Sequence, residues 1–209
     1  MIIIMIRKYP EESYVEEDLH ELYGHRLGDI SLFLPILRSF SMRAQYKEEY
    51  NIVELGVRGG CSTLAFLSGL HEAANKRKTV HVQPIEKYKL YSCDIEDCSH
   101  IRKNYPKMRE YFDTYWEFYL CDSIELANII LDVVPDIVFI DTNHEYKNTL
   151  NELELWVPRV NSGGFIILHD TISTQGVPLA IDTFLKKYDG IVDHYNIECY
   201  TGLGVMKKL

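Results

Sequence analysis

The strongest constraint in this chain is the run Pro135-Asp136-Ile137-Val138-Phe139-Ile140, apolar almost throughout and followed at once by Asp141. A strand with one wet face alternates apolar and polar residues. A run this uniformly apolar fits a strand covered on both faces, as in a parallel sheet between two helical layers. Further strand-like runs are Ile52-Val53-Glu54-Leu55, Lys89-Leu90-Tyr91-Ser92-Cys93, Trp116-Glu117-Phe118-Tyr119-Leu120 and Phe165-Ile166-Ile167-Leu168. Helix-forming stretches, among them residues 62–70, 146–156 and 178–188, lie between and after them. Strands joined through helix-length segments require right-handed crossovers, which predicts an α/β fold. Residues 192–208 add two strand-like runs broken at Gly202-Leu203-Gly204, joined too tightly for a crossover and so predicted to pair antiparallel at one edge. The expected architecture is a doubly wound, mainly parallel seven-stranded sheet with an antiparallel edge strand, preceded by N-terminal helices.

At 209 residues the chain holds one large domain more comfortably than two. Residues 1–48, with helix-like apolar spacing from Ile30 to Met42, are expected to form a helical lid or oligomer contact; residues 49–209 form the main domain. The opening Met1-Ile2-Ile3-Ile4-Met5-Ile6 is too short to span a membrane, and its charge follows the apolar run instead of preceding it as in a signal peptide. A short strand or an arm packing on a neighbour is expected there, with no membrane partner. A net charge of -9 argues against a nucleic-acid partner. The cluster Lys76-Arg77-Lys78 reads as a solvated turn. Five cysteines form no disulfide framework, so a reducing, cytoplasmic setting is expected, and Cys93, Cys98 and His100 lack the spacing of a closed zinc site.

In such sheets ligands bind beyond the carboxyl ends of the strands. The first end reads Glu54-Leu55-Gly56-Val57-Arg58-Gly59-Gly60-Cys61-Ser62, a glycine turn that brings backbone amides close to a ligand. It lacks the third glycine of the dinucleotide fingerprint, where Cys61 stands. Asp94, followed by Ile95, can accept both hydroxyls of a ribose, and Asp122-Ser123 ends the third strand in the same manner. The fourth and fifth ends carry Asp141-Thr142-Asn143-His144 and His169-Asp170-Thr171. Carboxylates ending neighbouring strands, about 4.8 Å apart, can share a divalent cation, and His144 would reach the same cleft as a general base. The competing reading makes Asp141 a helix cap and His144 a plain loop residue.

Together these motifs resemble a class I S-adenosylmethionine-dependent methyltransferase, a Rossmann-like fold, and within it the group containing macrocin O-methyltransferase and the cephalosporin-hydroxylase-like proteins. The resemblance covers about residues 50–209 and includes Gly163-Gly164-Phe165 and Thr201-Gly202-Leu203-Gly204-Val205. It implies that Glu54, Gly56, Arg58, Gly60, Ser62, Asp94, Ile95, Asp122, Ser123 and Asp141 bind S-adenosylmethionine, with Glu54 and Gly56 at its methionine end, Asp94 at the ribose, and Asp122 and Ser123 at the adenine. It implies catalysis by His144 and Asp141, O-methylation of a small hydroxylated molecule (a sugar or natural product), and Mg2+ on Asp141 and Asp170. Where metal-binding relatives carry another acid before the second Asp, this chain has His169. A weakened Mg2+ site, a softer metal using His169 and metal-free catalysis by His144 all follow as options. The rival readings are a nicotinamide-dependent oxidoreductase and a cofactor-binding homologue without methyl transfer. Tyr14, Tyr23 and His25 are candidates to face an acceptor.

Overall fold

A computed structural model describes residues 29–78 and 87–209. The expectations for residues 1–28, including the apolar Met1–Ile6 run and Tyr14, Tyr23 and His25, lie outside the described residues.

The strands are β1 (Glu49–Leu55), β2 (Lys87–Asp94), β3 (Trp116–Leu120), β4 (Ile137–Ile140), β5 (Phe165–His169), β6 (Val192–Ile197) and β7 (Leu203–Lys208). They form one sheet in the order β3-β2-β1-β4-β5-β7-β6. β1 to β5 pair in parallel, while β7 runs antiparallel to both β5 and β6. The expected seven-stranded sheet and its antiparallel edge pairing are therefore present, with β7 as the reversed strand and β6 outermost. Gly204 belongs to β7 and does not break it.

The helices are α1 (Leu34–Ser41), α2 (Cys61–Lys78), α3 (Ile101–Asn104), α4 (Arg109–Tyr115), α5 (Ser123–Ile129), α6 (Tyr146–Trp156) and α7 (Gly176–Lys187). One face of the sheet buries Ile52, Leu90, Phe139 and Ile167 against α1, α2 and α4; the other buries Val53, Val138, Ile166 and Leu168 against α5, α6 and α7. Central strands thus contribute apolar side chains to both layers, which is why β4 reads as unbroken hydrophobicity. Before the sheet, α1 packs on α2 so closely that a Cβ at Gly69 would stand 1.9 Å from Ser41 Oγ.

α2 runs well past the expected residues 62–70. No proline interrupts it, and Lys76 pairs with Glu72 at 2.6 Å, one turn earlier. The basic cluster therefore begins as a helix end and not as a turn, with Arg77 donating to the Lys47 carbonyl. Cys93 and Cys98 are buried, and His100 Nδ1 lies 3.0 Å from the Asp97 carbonyl oxygen.

Candidate active site

The parallel strands all end on one side of the sheet, and a cleft of about 410 Å³ lies there, lined by Gly56, Arg58, Asp94, Ile95, Asp122, Ser123 and Asp141. Gly56 makes the close approach of β1 and β4 possible: its φ is +92°, and a Cβ there would sit 2.1 Å from the Asp141 carbonyl oxygen.

Several expected site residues serve the loop more than the cleft. Glu54 is fully buried and receives hydrogen bonds from Ser62 Oγ at 2.5 Å, Thr63 Oγ1 at 2.9 Å and Ser92 Oγ at 2.6 Å. Burial lifts its pKa to about 7, the three hydroxyls working the other way. Glu54 and Ser62 are buried and do not line the cleft. Gly60 faces Ile101 and is also absent from the lining.

Asp94 does line the cleft, but its Oδ2 accepts the amides of Val57 at 2.8 Å and Arg58 at 2.9 Å, and its Oδ1 that of Glu96 at 2.9 Å. Burial opposes its charge, yet these amides hold its pKa below the usual carboxylate value. Asp94 therefore clamps the glycine turn. Asp122 caps α5, its Oδ1 accepting from the amides of Ile124 at 2.8 Å and Glu125 at 2.7 Å. The Ser123 hydroxyl donates to buried Glu152 at 2.5 Å, and Thr142 donates to the other Glu152 oxygen at 3.0 Å. Ile95 remains 78% exposed on the wall.

Sequence reading missed Glu96, Thr142, Asn143 and Asn148, which also line the cleft, and Glu152 beneath it. Glu96, Thr142 and Asn143 follow strand ends closely, whereas Asn148 and Glu152 lie within α6 and carry no such signal.

At the end of β4 and β5 the expected cluster assembles. His144 Nε2 lies 3.2 Å from Asp141 Oδ1 and 2.9 Å from Asp170 Oδ2. His169 Nδ1 lies 3.3 Å and 3.0 Å from the same two oxygens. Among the described residues, Asp141, His144 and Asp170 form the one group of His, Cys, Asp or Glu side chains spaced to hold a metal ion. Asp141 is not a helix cap, since α6 starts at Tyr146 behind Glu145. His144 and Asp170 adopt left-handed φ values of 58° and 59°, a strain on the order of 1 kcal/mol each. Hydrogen bonds donated by its ring to the Asp141 and Asp170 carboxylates lift the His144 pKa to about 10, against its partial burial. His169 rises to about 9: its burial works against the charged ring, and the same two carboxylates outweigh it.

A family model described as a methyltransferase domain matches residues 53–171, more than half of the chain. The chain belongs to that family. The matched segment of this methyltransferase runs from β1 to just past Asp170 and so contains the cleft lining and the His/Asp cluster. A curated relative, uncharacterized protein R132 of Acanthamoeba polyphaga mimivirus, is 24% identical over 165 residues, which covers 78% of this chain and 66% of that protein. Solved structures share the fold. An O-methyltransferase from Bacillus cereus in complex with SAH superposes with a TM-score of 0.64 at 16% identity, covering 99% of this chain and 94% of the other. A methyltransferase from Geobacter sulfurreducens gives 0.62 at 15%, covering 96% and 91%. An rRNA methylase from Streptococcus thermophilus gives 0.59 at 14%, covering 83% and 95%. The expected class I methyltransferase architecture is thus present.

Proposed function

We propose that this methyltransferase uses S-adenosylmethionine to methylate an oxygen of a small hydroxylated molecule, a sugar or natural product. The observation that carries the reading is Asp141, which lines the cleft and belongs to the His/Asp cluster. A donor in the cleft and an acceptor at the cluster would thereby meet at one side chain. Ile95 offers an apolar wall for the adenine, with Asp94 and Glu96 facing the ribose. The acidic cleft suits the sulfonium charge. The net charge of -9 supports a small acceptor over nucleic acid, although one fold neighbour is an rRNA methylase. Membership of a methyltransferase family leaves no support for the nicotinamide alternative.

In-line transfer moves the methyl from sulfur to the acceptor oxygen, whose proton must leave. His144, about one third exposed at the open side of the cluster, is the residue for that proton. With its pKa raised to about 10 the ring is mostly protonated near neutral pH, so transfer through it quickens as pH rises. Mg2+ demands oxygen ligands in a near-ideal octahedron. Half of the converging donors here are imidazole nitrogens, so the site does not fit Mg2+.

Calorimetry with S-adenosylhomocysteine against NAD, followed by methyl transfer from labelled S-adenosylmethionine to a panel of sugars and phenols, tests the reading. Selective S-adenosylhomocysteine binding with transfer to a hydroxylated acceptor is expected. Binding of NAD alone overturns the reading, and S-adenosylhomocysteine binding without transfer points to the non-catalytic homologue.

A further inference from the structure

We propose that Glu152 decides which purine the cleft accepts. It draws in the hydroxyl hydrogens of Ser123 and Thr142, so that this wall accepts hydrogen bonds and donates none. The base bound there must then bring an amino group, not an oxo group, to the wall. This rests on the S-adenosylmethionine reading and deepens it: the choice of base falls to a residue outside the cleft lining.

Asn148, Glu152 and Trp156 recur at every fourth position of α6 and so share one stripe of that helix. All three hold the same stretch of wall. Asn148 Nδ2 donates to Thr142 Oγ1 at 3.2 Å, and Thr142 Oγ1 donates to Glu152 Oε2 at 3.0 Å. Ser123 Oγ donates to Glu152 Oε1 at 2.5 Å, and Trp156 Nε1 donates to the Ser123 carbonyl oxygen at 3.2 Å. Ser123, Thr142 and Asn148 line the cleft, whereas Glu152 and Trp156 are fully buried.

A hydroxyl has one hydrogen and two lone pairs. With both hydrogens turned to the carboxylate, Ser123 Oγ and Thr142 Oγ1 keep lone pairs only, and Asn148 already takes one of those on Thr142. Burial pushes the Glu152 pKa up, while the bonds from Ser123, Thr142 and Asn148 work the other way. Burying an acid among neutral partners is costly, and glutamine would fill the same space without a charge. Glutamine, however, offers one oxygen and one amino group. It accepts from one hydroxyl and must donate to the other, which then turns its hydrogen outward. A carboxylate takes both hydrogens at once. Only the acid therefore keeps the whole wall in its accepting state. An adenine presents two N–H donors at its 6-amino group, where a 6-oxo purine presents an oxygen. Against this wall the first gains a hydrogen bond, and the second sets lone pairs against lone pairs.

Calorimetry on the full-length protein with S-adenosylhomocysteine and with S-inosylhomocysteine, its 6-oxo counterpart, tests this. The unaltered protein should bind the adenosine compound more tightly by about tenfold or more. Ser123→Ala and Glu152→Gln should each narrow that ratio by about three- to tenfold. Glu152→Met, which removes the buried charge and frees both hydroxyls to turn, carries the same expectation should Glu152→Gln not fold. A purely structural role for Glu152 would lower both affinities together and leave the ratio where it was. Equal or reversed affinities in the unaltered protein overturn the proposal, as does an unchanged ratio in either Ser123→Ala or the folded Glu152 variant. In each of those cases S-adenosylhomocysteine still binds and the methyl-donor reading stands. Failure of both compounds to bind overturns that reading, and the proposal with it.

Discussion

Two halves of the cleft use the same residue type in opposite ways. On the β1–β2–β3 side, Asp94 accepts three backbone amides and Asp122 accepts two. On the β4–β5 side, Asp141 and Asp170 face imidazoles, beside residues held at left-handed φ. A carboxylate ending a strand is a clamp when amides reach it first and is left to side-chain partners when the chain withholds them. Position at a strand end therefore marks the neighbourhood, and the competing donors decide the role.

The comparison breaks most sharply at His144. His144→Ala should lower turnover by roughly 10²- to 10⁴-fold while S-adenosylhomocysteine affinity stays within a few-fold, measured by steady-state transfer and calorimetry. A parallel loss of affinity would place His144 on the binding side instead. Gly56→Ala, at the seam between the halves, sets a Cβ against the Asp141 carbonyl oxygen and should cost roughly 2–4 kcal/mol in denaturant unfolding. An unchanged midpoint would show that the seam yields.

A pH series sharpens the contrast. The folded pKa of His169, about 9, exceeds its ordinary value of 6.5, so its contribution is complete below pH 6.5 and is lost as pH rises through 9. In chelator the protein should lose roughly 1–3 kcal/mol between pH 6.5 and 10 by chemical denaturation. His169→Asn, if folded, should flatten that slope. The smallest effect belongs to Asp94→Asn, which keeps the shape of the clamp but loses its charge. Weakening of S-adenosylhomocysteine by about tenfold is expected, with little change in turnover at saturation.

Much of this was legible in the sequence because it is written in local order. The apolar runs marked the sheet, and the polar residues after them marked the cleft, from Asp94 to Asp141, and the cluster beside it, with Asp170. Capping was the harder question. The cap reading considered for Asp141 belongs to Asp122, where amides of a helix start within three residues, whereas Glu145 precedes α6. Glu54 and Glu152 were opaque for another reason. A buried acid satisfied by hydroxyls from distant segments, such as Ser92 on Glu54 or Ser123 on Glu152, leaves no periodic trace. The length of α2 was understated because its later turns are polar, and a polar helix end resembles a loop in composition.

The reversal of β7 has one more consequence. Strands β1 to β5 leave the sheet at the cleft, whereas β7 enters it there, Leu203 pairing with His169. Thr201, just ahead of β7, therefore arrives beside the ring it contacts because the final hairpin folds back, not because a crossover delivers it. The length of the short link from β6 to β7 is thereby tied to where Thr201 meets the His169 ring. A single inserted residue would rotate the hydroxyl off the imidazole while leaving every parallel strand in place.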